Sequence, residues 1–227
     1  MKKIHHFYHI YASGMWETPA VEHVRALNES GLMSQISTFN FGLVGKREDQ
    51  DRVEKFLEEN FPTINIVARA EEGFEQETMD AIYDYAKDHT GYVLYAHTKN
   101  AMNLNDLHVK WRKSMTYFTV MRWKECIELM DDGYNAVGSH YLKITPEALV
   151  QEFGYDKSYH GLFAGTFWWT DLEYIKKFPK VGRNSRFDAE YWISNLKEVV
   201  ENTGKPFKVY DFNYAHPASS HGMVYSW

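Results

Sequence analysis

The segment Tyr92–Asn100 reads YVLYAHTKN and contains the clearest change of character in the chain. Its first five residues form a continuous apolar run, which is typical of a β-strand covered on both faces in a parallel sheet. A histidine, a threonine and a lysine follow directly, at the carboxyl end of this strand. The segment therefore predicts a buried strand that ends in a polar loop at the edge where open α/β sheets bind ligands.

Strand and helix patterns alternate in the residues that precede this segment. The predicted elements are strand His5–Ala12, helix Pro19–Asn28, strand Met33–Val44, helix Lys46–Asn60, strand Thr63–Ala70 and helix Glu75–Asp88. Four strands that alternate with helices favour a mostly parallel sheet sandwiched by helices, an α/β fold. The strand-end rule then selects three candidate site loops, Tyr11–Gly14, Ala70–Glu72 and His97–Asn100.

The alternation becomes irregular after Asn100. The predicted elements are one long or broken helix at Asp106–Asp132, strand Tyr134–Ile144, helix Pro146–Phe153, strand Leu162–Trp169, helices Asp171–Phe178 and Arg186–Asn202, and an extended aromatic tail at 206–227. We find no repeat, low-complexity linker or flexible hinge in the sequence. We therefore expect a single domain over residues 1–227, with a regular first half and an irregular second half.

The composition excludes several classes of function. The 227 residues carry 25 basic and 31 acidic side chains, a net charge of −6, and no basic run, so nucleic acid is not expected as a partner. The single cysteine, Cys126, allows neither a disulfide nor a cysteine-based zinc site. His5, His6 and His9 interrupt the amino-terminal apolar run, and no window resembles a membrane span. We expect a cytoplasmic protein.

The polar residues after the fourth predicted strand are the strongest candidates for a binding site. Lys99 is suited to bind the phosphates of a ligand through its positive charge. His97 is suited to bind a phosphate or a sugar hydroxyl, or to ligate a metal. The alternative is a solvated loop, because strand-end loops are polar by default.

The segment Leu162–Trp169, LFAGTFWW, predicts a buried strand with a glycine inside it. Gly165 indicates either a bulge or a close approach to the backbone. In a regular strand Trp168 and Trp169 point to opposite faces, so one indole at most lines a cleft. Packing alone remains the alternative for both.

Two acidic residues, Asp188 and Glu190, open the predicted helix Arg186–Asn202. They either complement the helix dipole or supply a general base, and at positions i and i+2 only one reaches a reacting hydroxyl. The eleven histidines show no metal-binding spacing. His216 and His221 stand out because they lie in an uncharged tail that could fold over a cavity.

Four spaced motifs together resemble a known group of proteins. They are the strand ending in His97-Thr98-Lys99, the pair Trp111-Arg112, the Gly-x-Phe-Trp-Trp strand from Gly165, and the Ala-Glu-x-Trp-Ile helix from Ala189. This combination, over roughly Phe7 to His221, is similar to small glycosyltransferase-like proteins of bacteria and viruses. The resemblance implies a GT-A-type nucleotide-sugar-binding fold, with a nucleotide-binding half at 1–100 and an acceptor-binding half at 101–227.

The resemblance also implies roles for individual residues. Those given to the nucleotide and its diphosphate are Tyr11, Ser13, His97, Lys99 and Arg112, and those given to the sugar or acceptor are Gly165, Thr166, Trp168, Trp169, His216 and His221. Glu190 or Asp188 would be the catalytic base. Where the fold class carries two aspartates for Mn²⁺ or Mg²⁺, this chain has His97 and Lys99, so a divalent cofactor stays open.

Three functions follow as hypotheses. The first is a hexosyl- or pentosyltransferase that moves a sugar from a UDP- or GDP-sugar to a glycan or small hydroxyl acceptor, without a metal and with inversion, although retention stays open. The second is a non-catalytic carbohydrate- or nucleotide-binding module on a degenerate transferase fold. The third is a metal-dependent phosphoester hydrolase.

Overall fold

The computed structural model describes residues 2–99, 101–102, 105–143, 161–183, 187–194 and 208–212. The strands in these ranges are β1 (Ile4–Tyr11), β2 (Ile36–Val44), β3 (Asn65–Ala70), β4 (Tyr92–His97), β5 (Ala136–Gly138), β6 (Tyr141–Lys143), β7 (Gly161–Phe163), β8 (Trp168–Asp171) and β9 (Val209–Asp211). The helices are α1 (Glu17–Glu29), α2 (Arg47–Asn60), α3 (Gln76–Ala86), α4 (Asp106–Thr116), α5 (Trp123–Asp131), α6 (Leu172–Ile175) and α7 (Asp188–Trp192).

A seven-stranded sheet runs through the described residues in the order β3-β2-β1-β4-β8-β5-β9. β1 pairs in parallel with both β2 and β4, whereas β8 is antiparallel to its neighbours β4 and β5. The chain moves outward from β1 to β2 and β3, and then returns to the other side of β1 for β4. The gap between β1 and β4 is therefore the topological switch point, where open α/β sheets bind ligands.

Two apolar clusters cover the two faces of the sheet. Alternate residues of a strand point to opposite faces, so Tyr8 belongs to the first cluster and its neighbour Phe7 to the second. Tyr92 to Ala96 of β4 are all at most 1% exposed. This confirms the predicted strand with helices on both sides, and the sheet with flanking helices confirms the predicted α/β fold.

The alternating first half has its predicted elements within a few residues, apart from a 3₁₀ turn at Leu32–Ser34 before β2. The second half differs more. The predicted strand Leu162–Trp169 is two strands, β7 and β8, separated by a turn in which Gly165 and Thr166 have φ angles of 90° and 59°. Only glycine adopts such angles without cost, so the glycine ends one strand and re-aims the chain.

Two more predicted elements are subdivided. The helix predicted at Asp106–Asp132 contains a π-helical segment at Tyr117–Met121 between α4 and α5, and the strand predicted at Tyr134–Ile144 is split into β5 and β6. The helix predicted at Pro146–Phe153 lies outside the described residues, as does the tail predicted at 206–227 apart from residues 208–212. In the described ranges, no helix combines the length and the apolar character that a membrane crossing demands.

Candidate functional site

A cavity of about 290 Å³ opens at the switch point, beyond the carboxyl ends of β1 and β4. We call it the switch-point cavity. Its lining residues are His9, Tyr11, Gly73, Phe74, Glu75, His97, Thr98, Lys99 and Glu190. Four of the residues predicted from sequence thus meet in one place, namely Tyr11, His97, Lys99 and Glu190.

Thr98 joins the ends of the two central strands below the cavity. Its backbone N–H donates to the carbonyl of His9 at 3.0 Å, and its hydroxyl accepts from the backbone N–H of Tyr11 at 3.0 Å. The residue is 4% exposed. These two bonds fix the exit of β4 relative to the exit of β1, and so fix the directions in which His97 and Lys99 leave the sheet.

His97 is held by protein groups at both ring nitrogens. Nδ1 lies 2.5 Å from Oε1 of Glu75, and Nε2 lies 2.8 Å from the carbonyl oxygen of Gly165. Both ring nitrogens are therefore in contact with protein oxygen atoms. His97 therefore links the start of α3 to the turn between β7 and β8, and its contacts to ligands are limited to its ring face and edge.

Glu75 is an ionised carboxylate next to the cavity. Burial alone would raise its pKa, but the charge and hydrogen bond of His97 and the nearby charge of Lys99 outweigh burial and lower the pKa to about 2. The side chain is 15% exposed. A carboxylate with this environment stabilises the folded state throughout the neutral range.

The replacement Glu75→Gln should reveal this contribution in its pH dependence. The folded-state pKa lies below the unfolded value of 4.5, so the stabilisation is complete above pH 4.5 and disappears as the pH falls toward 2. We expect the variant to lose about 2 kcal/mol of unfolding free energy at pH 7 and almost none at pH 2. Urea unfolding of both proteins at a series of pH values measures the difference, and a difference that grows toward low pH would contradict the assignment.

Lys99 brings a positive charge to the cavity. Its Nζ atom lies 4.5 Å from the centre of the Trp111 ring, close enough for a cation–π interaction. The backbone carbonyl of Lys99 accepts a hydrogen bond of 3.2 Å from Nη1 of Arg112. Trp111 and Arg112, adjacent on α4, therefore hold the side chain and the backbone of Lys99 respectively.

Arg112 is not placed to bind a diphosphate directly. Its Nε and Nη2 atoms both donate to Oε2 of Glu22, at 2.9 and 2.8 Å, and the residue is 2% exposed. A guanidinium already paired with a carboxylate and buried has no edge left for a phosphate. The predicted phosphate contact of Arg112 is therefore wrong for this structure, in which its guanidinium binds the backbone carbonyl of Lys99.

The two predicted acidic residues occupy different environments on α7. Glu190 is half-buried and lines the cavity, whereas Asp188 is 3% exposed and packs against Gly182. A Cβ atom at position 182 would lie 2.8 Å from Oδ2 of Asp188, so the glycine makes room for this carboxylate. Of the two, only Glu190 is among the residues that line the cavity.

The remaining predicted residues lie at the edge of the site or away from it. Trp168 and Trp169 are fully buried, so neither offers a ring face to a sugar, contrary to the expectation that one indole would line a cleft. Gly165 contributes its carbonyl to His97, and Thr166, 1% exposed, follows it in the turn. Ser13 is half-buried in the loop after β1 and is not part of the lining. His216 and His221 lie outside the described residues.

We expect Trp169→Phe to affect stability and to leave binding at the cavity unchanged. The indole Nε1 donates to the backbone carbonyl of Thr119 at 2.7 Å, and phenylalanine would remove this buried hydrogen bond. The loss of the bond and of part of the ring should lower the unfolding free energy by about 2 kcal/mol. Thermal and urea unfolding measure this loss, and a specific loss of sugar binding in a stable variant would restore the stacking role.

Sequence reasoning missed four lining residues, His9, Gly73, Phe74 and Glu75. His9 looked like one of several strand histidines, although it occupies the same strand-end level as His97, its register partner in β4. Phe74 and Glu75 follow the candidate loop Ala70–Glu72 by a few residues. Phe74 is 55% exposed, and an aromatic residue at a loop exit was the signal that could have identified it.

His97, Glu75 and Lys99 do not offer a set of ligands for Mn²⁺ or Mg²⁺. Both ring nitrogens of His97 contact protein acceptors, Glu75 is paired with His97, and the ammonium of Lys99 would repel a cation. In the described part of the chain, no group of three or more His, Cys, Asp or Glu side chains could hold a metal ion.

Comparison with solved structures supports the fold. The chain is similar to 4-diphosphocytidyl-2C-methyl-D-erythritol synthase from Anaerococcus prevotii, with 12% identity, a TM-score of 0.50, and coverage of 95% of this chain and 90% of that one. A protein provisionally named a nucleotide-diphospho-sugar transferase, from Desulfovibrio desulfuricans, gives 13% identity, a TM-score of 0.46, and coverage of 94% and 80%. The first of these similarities, at a TM-score of 0.50, confirms the predicted GT-A-like fold class, a mostly parallel sheet flanked by helices.

Comparisons based on sequence give one family match. Among curated proteins there is no significant match. A family model does match residues 7–181, which contain both central strands and all of the lining residues except Glu190. The chain therefore belongs to the family described as Domain of unknown function (DUF8361).

Proposed function

We propose that this protein is a transferase that binds a nucleoside diphosphate sugar in the switch-point cavity and moves the sugar to a hydroxyl acceptor. The observation that carries the proposal is that a cation, Lys99, and a carboxylate, Glu190, line the same cavity at the switch point. Glycosyl transfer needs these two charges at two different places, one at the leaving diphosphate and one at the acceptor hydroxyl.

The chemistry follows from these positions. Glu190 takes the proton of the acceptor hydroxyl, and the oxygen attacks the anomeric carbon. The bond from that carbon to the diphosphate oxygen breaks, and its electron pair stays on the diphosphate. Lys99 stabilises the developing negative charge, the part that a divalent metal plays when two aspartates hold one. Attack from the face opposite the leaving group would invert the anomeric centre.

The proposed division of the chain follows the composition of the cavity. Eight lining residues come from positions 9–99 and one, Glu190, from the second half. We assign donor binding to the half 1–100 and acceptor activation to the half 101–227. Tyr11 and Phe74, both exposed aromatic residues at the cavity, are suited to pack against the base or a sugar ring.

The second candidate is a binding module without catalysis. Two carboxylates line the cavity among the described residues, Glu75 and Glu190. Glu75 is paired with His97 and is not placed to accept a proton, which favours this candidate. Catalysis would therefore depend on Glu190. A protein that binds the nucleotide sugar but never consumes it would fit this candidate.

Calorimetry on the full chain, purified without an affinity tag, tests the proposal. The ligands are UDP-glucose, UDP-galactose, GDP-mannose, UDP and GDP, each with and without EDTA. We expect one or more of these nucleotide sugars to bind with equal affinity in both conditions. Failure of all of them to bind would overturn the proposal, and binding that EDTA abolishes would overturn the metal-free mechanism and favour metal-dependent chemistry.

A further inference from the structure

His9 occupies the centre of the sheet at the base of the switch-point cavity. In the sheet register it lies between Gly42 of β2 and His97 of β4. It is 3% exposed, yet it is one of the lining residues. The transfer chemistry proposed above gives this imidazole no task.

Two polar pairs hold the start of α3 on the sheet. Glu75 contacts His97, and one helical turn later the Oγ1 atom of Thr78 lies 2.8 Å from Nδ1 of His9. Residues three apart on a helix are separated by about 5–6 Å, and neighbouring strands by about 4.8 Å. The two spacings match, so both imidazoles are oriented by the same turn of the helix.

Gly42 makes this arrangement possible. A Cβ atom at position 42 would lie 1.8 Å from Oγ1 of Thr78, a distance that no side chain could accept without displacing the threonine. The backbone φ angle of Gly42 is not in the left-handed region, so the glycine serves for space and not for conformation. The orientation of His9 is therefore built into three elements, β1, β2 and α3.

The imidazole of His9 is neutral and has one nitrogen to spare. Burial lowers its pKa to about 4, although the carboxylate of Glu75 acts in the opposite direction. Within the described part of the chain, the hydrogen bond of its side chain uses Nδ1. Nε2 lies on the opposite edge of the ring, turned away from Thr78, and is the nitrogen left for the cavity.

The hydrogen bond between Thr78 and Nδ1 of His9 determines which chemical groups of a ligand can bind Nε2. The hydroxyl of Thr78 can donate or accept, so Nε2 can be an acceptor or a donor according to the tautomer. A ligand hydroxyl can match both tautomers. A phosphate oxygen only accepts, and in this cavity the cation Lys99 suits it better.

We propose that His9 binds a hydroxyl group of the ligand, on the ribose or on the transferred sugar, through Nε2. The inference rests on the proposed function, because it divides the cavity between Lys99 for phosphate and His9 for hydroxyl. It identifies a specificity-determining residue, and Thr78 and Gly42 as the residues that position it.

Two substitutions separate ligand binding from a structural role. In His9→Asn the amide nitrogen falls near the position of Nδ1, so the contact with Thr78 can persist while the group facing the cavity is lost. In His9→Gln the amide reaches the position of Nε2, so the ligand contact can persist while the contact with Thr78 is lost. We expect about tenfold weaker binding of UDP-glucose or GDP-mannose for His9→Asn and about threefold or less for His9→Gln.

The opposite order, or equal affinity of both variants and the wild-type protein, would overturn the inference. Unfolding transitions of the two variants verify that both are folded at the titration temperature. UDP and GDP alone identify the hydroxyl. A deficit of His9→Asn with the free nucleotide assigns it to the ribose, and a deficit confined to the nucleotide sugar assigns it to the sugar.

An NMR titration distinguishes a failure of this inference from a failure of the proposed function. Free ribose and glucose are titrated into the wild-type protein while the imidazole signals of His9 are followed by NMR. If no nucleotide sugar binds but a free sugar shifts these signals, the transferase proposal fails and the hydroxyl site stands. If a nucleotide sugar binds without affecting His9, the inference fails and the transferase proposal stands; if no nucleotide sugar binds and no free sugar shifts these signals, both fail.

Discussion

The replacement Lys99→Met weakens binding of a nucleoside diphosphate by about 100-fold or more on this account. Two unit charges 4 Å apart interact with about 4 kcal/mol at an effective dielectric constant of 20, and a diphosphate offers more than one charge to Lys99. Methionine keeps much of the apolar stem next to Trp111 and removes the ammonium. Calorimetry with UDP and GDP at low salt measures the change.

Two further variants show whether the effect belongs to this position. Lys110→Met removes an exposed lysine from the outer surface of α4 and should change the affinity by about twofold or less. Lys99→Arg keeps the charge and should retain most of the affinity. Equal losses in Lys99→Met and Lys110→Met would mean that overall charge, and not a phosphate site, governs binding.

The second large effect concerns turnover. Glu190→Gln should lower kcat by about 10² to 10⁴, the range expected when a general base is removed, and should leave the dissociation constant of the donor within about threefold. The amide keeps the size of the side chain on α7 but cannot accept the proton. Release of the free nucleotide from the donor in the presence of a hydroxyl acceptor measures kcat.

Glu59→Gln and Asp188→Asn are the matched comparisons. Glu59 is an exposed residue of α2, so its replacement should leave kcat unchanged. Asp188 is buried against Gly182, so Asp188→Asn should act on stability before activity. If Asp188→Asn were stable but inactive while Glu190→Gln stayed active, the general base would be Asp188 and not Glu190. Unchanged kcat in both would favour the binding module.

The central half of the sheet could be predicted because local patterns and tertiary environment agree there. The apolar run of β4 is buried as its composition indicates, and its polar end opens at the switch point. The same reasoning failed at Leu162–Trp169, where the run looked continuous. The positive φ angles of Gly165 and Thr166 break it into two strands, and the sequence shows only a glycine.

The lining of the switch-point cavity could be predicted only in part, because a sequence shows residue types and not their partners. Lys99 and Glu190 reach the cavity, but Arg112 is paired with Glu22, ninety positions earlier in the chain. His9 carried no local signal, since its role depends on Gly42 and Thr78, which come from two other elements. Such contacts are set by the fold and become visible only when the elements are assembled.

The most direct test is a crystal structure of the protein with UDP or GDP, whichever binds. We expect a diphosphate oxygen within about 3 Å of Nζ of Lys99, inside the switch-point cavity, with the sugar side of the ligand toward Glu190. A nucleotide bound elsewhere on the surface, or one whose phosphates turn away from Lys99 while the ammonium stays over Trp111, would contradict it.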